Sequence, residues 1–202
     1  MVAIGRCWRW RTALSINGLR AYLRSIADIS GRAVAGFDAK QRGVLTGMAA
    51  GLGWSVALLI LGPTLWSPSG DPLQVTFRWL LLPGLVLIAA VGRIAAARFF
   101  DASIIDGEAP RPGSATDIAM RVLSNTLEQA ALAALIWPAL ALQLPPERLG
   151  VIPALACSFV VARIAFAACY TRGAAARAFG FAATFYPTVL AAIWALMLWV
   201  SR

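Results

Sequence analysis

Histidine is absent from all 202 residues, and the chain carries only nine acidic residues against 18 lysines and arginines. Without an imidazole no His-based nucleophilic triad can be assembled. The three cysteines, Cys7, Cys157 and Cys169, have no paired spacing, so neither a zinc site nor a disulfide framework follows from them. Cys169, beside Tyr170, would be a reactive thiol only in an electropositive setting; otherwise both apolar-segment cysteines read as small inert hydrophobes. A glycine-rich phosphate loop and a paired carboxylate site are also missing. These absences remove most hydrolase and metalloenzyme chemistries, and no metal is expected.

Charge of either sign is scarce as well. Charged residues make up 13% of the chain and hydrophobic residues 60%, which places it among all-α integral membrane proteins. A bilayer needs about 20 consecutive helical residues to be crossed, and five stretches satisfy this, at about 44–66, 79–99, 120–142, 149–169 and 178–200. Gly and Pro mark the breaks, in SPSGDP at 67–72 and LPPER at 144–148. A longer acidic loop precedes the third stretch, and Asp117 stands where a carboxylate would cap free backbone donors at a helix start.

The formal charge of +9 would suit a nucleic acid, but its distribution does not. Residues 1–43 hold eight basic groups against Asp28 and Asp38, and a basic segment beside a span is first a topology signal. No nucleic-acid partner is expected. The segment lacks the continuous apolar core of a signal peptide. Ile16, Leu19, Leu23 and Ile26 recur at helical spacing, which allows an interfacial amphipathic helix; disorder and a start further downstream are the alternatives. With this segment in the cytoplasm, that side also gains Arg98, Arg111, Arg121, Arg172 and Arg177, and the other side keeps Arg78, Arg148 and Arg202. The expected placement is a bacterial inner membrane, multi-pass, N-terminus inside.

The polar residues inside the spans carry the functional signal. Arg121, Asn125 and Glu128 are separated by four and three residues and share a helix face; Arg163 and Tyr170, seven apart, share another. Under this topology all five, with Arg177, fall near the cytoplasmic ends of their spans. Intramembrane charges persist where they pair or line a cavity. Two readings stay open: a hydrogen-bonded network that glues helices together, or a polar pocket whose excess of arginine suits an anionic ligand. Arg93 in the second span snorkels, pairs with Glu128 or joins the pocket. Gly47, Gly51 and Gly53 on the first span suit close helix packing.

The runs RVLSNTLEQ at 121–129, ARIAFAACY at 162–170 and TRGAAAR at 171–177 resemble the membrane-associated proteins in eicosanoid and glutathione metabolism, the MAPEG family, over about residues 79–200. The resemblance implies a four-helix transmembrane bundle with one extra N-terminal transmembrane helix. The implied divisions are a basic cytoplasmic segment at 1–43, the additional helix at 44–66 and the four-helix domain at 79–200. By the resemblance, Arg121, Asn125, Glu128, Arg163 and Tyr170 would hold glutathione, and Arg177, with the Tyr170 hydroxyl, would favour its thiolate. It further implies a homotrimer in the lipid bilayer, with sites between subunits, and a lipophilic electrophile or hydroperoxide as the second substrate of a transferase or peroxidase. Ser124 departs from the pattern, standing where glutathione-using members often carry a basic residue. The competing expectation is a non-catalytic membrane scaffold or binding protein whose Arg/Asn/Glu network is structural. Transport is disfavoured by the nearly uncharged opposite leaflet.

Overall fold

The computed structural model describes residues 38–201. The interfacial helix expected in the basic segment, and Cys7, lie outside the described residues. Among the described residues five α-helices follow one another: α1 (Ala39–Leu65), α2 (Pro72–Phe99), α3 (Ala115–Ala141), α4 (Val151–Ala168) and α5 (Ala174–Val200). Short 3-10 turns at Pro146–Arg148 and Tyr170–Arg172 flank α4, and there is no strand among the described residues. Four helical segments, Ala39–Leu65, Pro72–Phe99, Pro146–Ala168 and Ala174–Val200, are long and apolar enough to cross a membrane. Helix α3 has 27 residues, as long as α1 and α5, but the polar run Ser124, Asn125, Thr126, Glu128 and Gln129 lowers its hydropathy. The helix that fails the apolarity test is the one carrying the polar motif.

Helix starts are set by capping, and here the structure corrects the sequence reading. Helix α2 begins well before residue 79, because Asp71 Oδ1 accepts from the Leu73 and Gln74 amides at 2.9 and 3.1 Å and Pro72 occupies the first helical position. At α3 the cap is Ser114, not Asp117. The Ser114 Oγ accepts from the Asp117 amide at 3.2 Å, while Asp117 Oδ2 reaches back to the Gly113 N–H at 2.8 Å. A shorter side chain one turn ahead is better placed to meet the third amide, and the carboxylate is left to bind the amide before the helix, as in a capping box. Ser114→Ala is therefore expected to lower unfolding free energy by about 1 kcal/mol, measurable by thermal unfolding in detergent; an unchanged midpoint would remove Ser114 from the cap. In the loop before α3, Ser103 donates to Asp101 Oδ1 through its hydroxyl at 2.6 Å and its amide at 3.0 Å, which holds the Asp101 carboxyl below its usual range.

The helices form one unit, Lys40–Arg202, with α4 as its central strut: 11 of its 18 residues are buried. Trp137 of α3 and Phe159 of α4 meet edge to face, centroids 6.3 Å apart. They anchor a core completed by Leu140, Ile152, Leu155 and Ala191. The Trp137 indole N–H donates to Thr188 Oγ1 on α5 at 3.3 Å. Other buried hydroxyls bond within their own helices. Thr126 donates to the Val122 carbonyl and Thr184 to the Gly180 carbonyl, both at 2.7 Å, as hydroxyls must where water is absent.

Contact register gives the helix directions. Gly43, Gly47 and Gly51 of α1 face Ala175, Ala178 and Ala182 of α5; the numbers rise together, so the two helices run parallel. Gly62 abuts Ala154 while the Trp54 Nε1–H donates to Ser158 Oγ at 2.7 Å, so α1 and α4 run antiparallel. A Cβ on Gly47 would lie 2.8 Å from Ala178 Cβ and 3.0 Å from the Phe179 amide nitrogen. Hydrogen side chains at four-residue intervals are what let these backbones approach. Gly53, by contrast, has nothing within 4 Å and takes no part in the seam; Gly43 does, and Gly62 packs against the start of α4 instead.

Candidate functional site

The start of α1, the first half of α3, the end of α4 and the start of α5 come together at one end of the bundle. Arg163 is the deepest of the polar residues there, 2% exposed, on the α4 face toward α3. Its Nη1 donates to Asn125 Oδ1 at 2.9 Å, and its guanidinium carbon lies 4.1 Å from the Phe166 ring centroid, a cation–π contact within one helix turn. Its Nε and Nη2 find no hydrogen-bond partner among the described residues. A guanidinium has five N–H donors, so most of its donor capacity at this depth is unspent.

The reversal between α4 and α5 positions the next two groups. Tyr170 opens the turn Tyr170–Arg172, and Gly173 follows with φ +100°, a left-handed backbone that an L side chain resists. Helix α5 then starts at Ala174 and brings Arg177 back over Tyr170, its guanidinium carbon 4.4 Å from the ring centroid. Deeper in the helix pair, Gly180 of α5 lies against the backbone of Phe166, which draws α4 and α5 close beneath this turn.

A cavity of about 320 Å³ opens between these elements. Asn125, Tyr170 and Arg177 are its polar lining, and Phe166, Phe181, Val44 and Met48 its bulky apolar lining. Among the described residues Arg177 is the charged group in its lining and no acidic residue lines it, an arrangement that favours an anion. Arg163 lies behind Asn125 and lines a smaller cavity of about 200 Å³ between α2, α3 and α4, together with Arg93 and Thr126.

Of the six residues singled out in the sequence, three therefore line one cavity and a fourth, Arg163, is hydrogen-bonded to one of them. Arg121 and Glu128 do not reach it. Arg121 is 62% exposed and pairs with Asp117 along its own helix, Nη2 to Oδ2 at 3.2 Å. Glu128 is exposed on the outer face of α3 and receives a long 3.5 Å contact from Asn125 Nδ2. Within one chain Asn125 thus stands between Arg163 and Glu128, touching both. Six lining residues escaped the sequence reading, Ala174 and Ala178 among them. Phe166 was legible as the residue one turn before Tyr170, and Phe181 as one turn after Arg177; Val44 and Met48 sit on a helix with no polar signal at all. Cys157 and Cys169 are free and partly buried, and neither lines the larger cavity. Among the described residues no cluster of His, Cys, Asp or Glu is able to hold a metal ion.

A family model described as the MAPEG family matches residues 76–197, which covers α2 to α5 and leaves out α1. No curated protein and no solved structure matches the chain.

Proposed function

Because the chain belongs to the MAPEG family, we propose that it binds glutathione or a similar anionic thiol at the site end of the bundle and joins the thiol through its sulfur to a lipophilic electrophile, or reduces a hydroperoxide, delivered from the bilayer. The observation that carries this reading is the convergence of Asn125, Tyr170 and Arg177 on one cavity that no described acidic residue lines. Arg177 and the Tyr170 hydroxyl favour the thiolate there by charge and hydrogen bonding. Each pK unit of thiol depression corresponds to about 1.4 kcal/mol. In the transfer, the thiolate forms a bond to an electrophilic carbon, whose leaving group departs with its electron pair; the thiol's proton goes to solvent. With a hydroperoxide, the thiolate takes the terminal oxygen, the alcohol leaves, and a second thiol converts the sulfenic product to disulfide and water.

Arg121 and Glu128 enter this reading through assembly. A carboxylate on the lipid-facing side of a membrane helix is costly, and Glu128 lies beside Leu127 and Leu135, 55% and 71% exposed. A homotrimer that covers this face of α3 removes that cost and turns both residues toward a ligand held at the subunit boundary, Arg121 to its carboxylates and Glu128 to its amino group. We place the site end in the cytoplasm on the strength of the basic segment preceding α1.

Calorimetric titration with glutathione tests the proposal. Saturable binding is expected for the detergent-purified wild type and not for an Arg121→Ala, Glu128→Gln double variant. A folded wild type that binds nothing up to millimolar glutathione would overturn it. The Arg163–Asn125 hydrogen bond between α4 and α3 favours a second reading, in which the network is structural and no thiol binds.

A further inference from the structure

We propose that α1 is the specificity wall of the cavity: Val44 and Met48 receive the apolar part of an amphiphilic anion whose charged head rests on Arg177 and Asn125. The identity of the head as a thiol peptide rests on the function proposed above; the role of the wall does not.

Helix α1 lies outside the residues that match the family, yet it supplies two of the residues around the cavity. Its place is not loose. Gly47 is seated on Ala178 so closely that a Cβ there would lie 2.8 Å from the alanine methyl. Ala178 is itself a cavity residue, so the seam and the cavity share a side chain and the seam sets the cavity's width. Val44 and Met48 each follow a seam glycine by one residue and are four apart. They therefore share a face about 100° around the helix from the seam, and that face is turned to the cavity.

The lining combines two chemistries: a guanidinium, a carboxamide and a phenol, together with the apolar side chains Val44, Met48, Phe166 and Phe181. That combination suits a molecule with an anionic end and an apolar end. The volume of about 320 Å³ sits at the lower limit for small-molecule sites, so it admits a short chain or a single ring beside the head and not a full acyl lipid. Met48 is 37% exposed, uncovered by its own chain, and an unbranched thioether adapts to differing apolar shapes.

The test uses the full-length detergent-purified protein and two probe series of stepped chain length, S-alkylglutathiones and alkanesulfonates. In wild type, affinity is expected to rise about three- to fourfold per methylene and then level off where the chain meets α1. Met48→Ala should move that plateau to longer chains. Met48→Trp should move it to shorter chains and weaken the hexyl probes about tenfold. Met197→Trp, on an exposed position of α5 remote from the cavity, should change neither series. If Met48→Trp does not fold, the Met48→Ala profile decides. Chain-length profiles that coincide in wild type and Met48 variants overturn the proposal even where glutathione binds. Sulfonate profiles that shift with Met48, without preference for the glutathione series, uphold the wall and refute the thiol head. Failure of both series to bind wild type refutes both.

Discussion

Gly180→Ala is expected to destabilise the protein by about 3 kcal/mol, near the upper end for overpacking a tight interior, and to abolish ligand binding with it. The added methyl would lie 2.5 Å from the Phe166 amide nitrogen, 2.7 Å from its Cα and 2.9 Å from the Ala162 carbonyl oxygen. All three are backbone atoms. No rotamer change relieves the contact, so α4 and α5 must separate. The displaced stretch of α4 contains Arg163 between Ala162 and Phe166, and any shift there lengthens the 2.9 Å bond to Asn125. Thermal unfolding of the variant beside Gly53→Ala makes the comparison internal, because Gly53 has open space around it and alanine there gains helix propensity. Equal midpoints for the two variants would mean that α4 and α5 are not locked at Gly180.

Arg163→Met separates the two readings of the polar network more sharply than any other single substitution. If the site binds an anion, the unliganded protein pays to keep a nearly inaccessible guanidinium with two idle nitrogens, and an apolar side chain of similar length relieves that cost. Replacement of buried charge by well-packed hydrophobic residues is often neutral or stabilising, by roughly 1–4 kcal/mol. Unchanged or raised thermal stability is therefore expected, together with loss of glutathione binding by a hundredfold or more, about 3 kcal/mol for a lost charge-assisted contact. A structural network predicts the reverse. Removing Arg163 would then unlink α3 from α4, and the midpoint would fall. A stability that drops while binding persists sinks the binding-site interpretation of Arg163. Arg163→Lys adds a control: it keeps the charge and loses the planar fork, so partial binding is expected.

Much of the site was legible because lipid makes polar residues conspicuous. Asn125, Arg163, Tyr170 and Arg177 stand out against apolar neighbours, and the span boundaries with the alternating topology put them at one end of the bundle. Their convergence depends on antiparallel packing of α3 and α4 and on the turn at Gly173, which sequence order also implied. Arg121 and Glu128 were equally conspicuous, but helical spacing fixes a face and not what the face meets; within a single chain theirs points outward. The apolar half of the cavity was silent for the opposite reason. Val44 and Met48 resemble every other aliphatic residue of a span, and only the register of the glycine seam reveals that they are turned inward. Helix ends followed the same division. The Asp71–Pro72 pair carried the start of α2 in plain view, whereas the polar side chains of Gln74 and Arg78 disguised its first turns as loop.

The parallel seam between α1 and α5 joins the first described helix to the last. More than a hundred residues must be inserted between the synthesis of Gly47 and that of Ala178, so the glycine face of α1 waits in the bilayer while three other helices enter. Contacts of such long sequence separation form late, and domains assemble in the order their elements emerge. The closing of the cavity accordingly waits until α5 has entered the bilayer. A nascent protein carries Asn125, Arg163 and Tyr170 in the membrane before it has a walled space for a ligand, and acquires that space only when α5 docks.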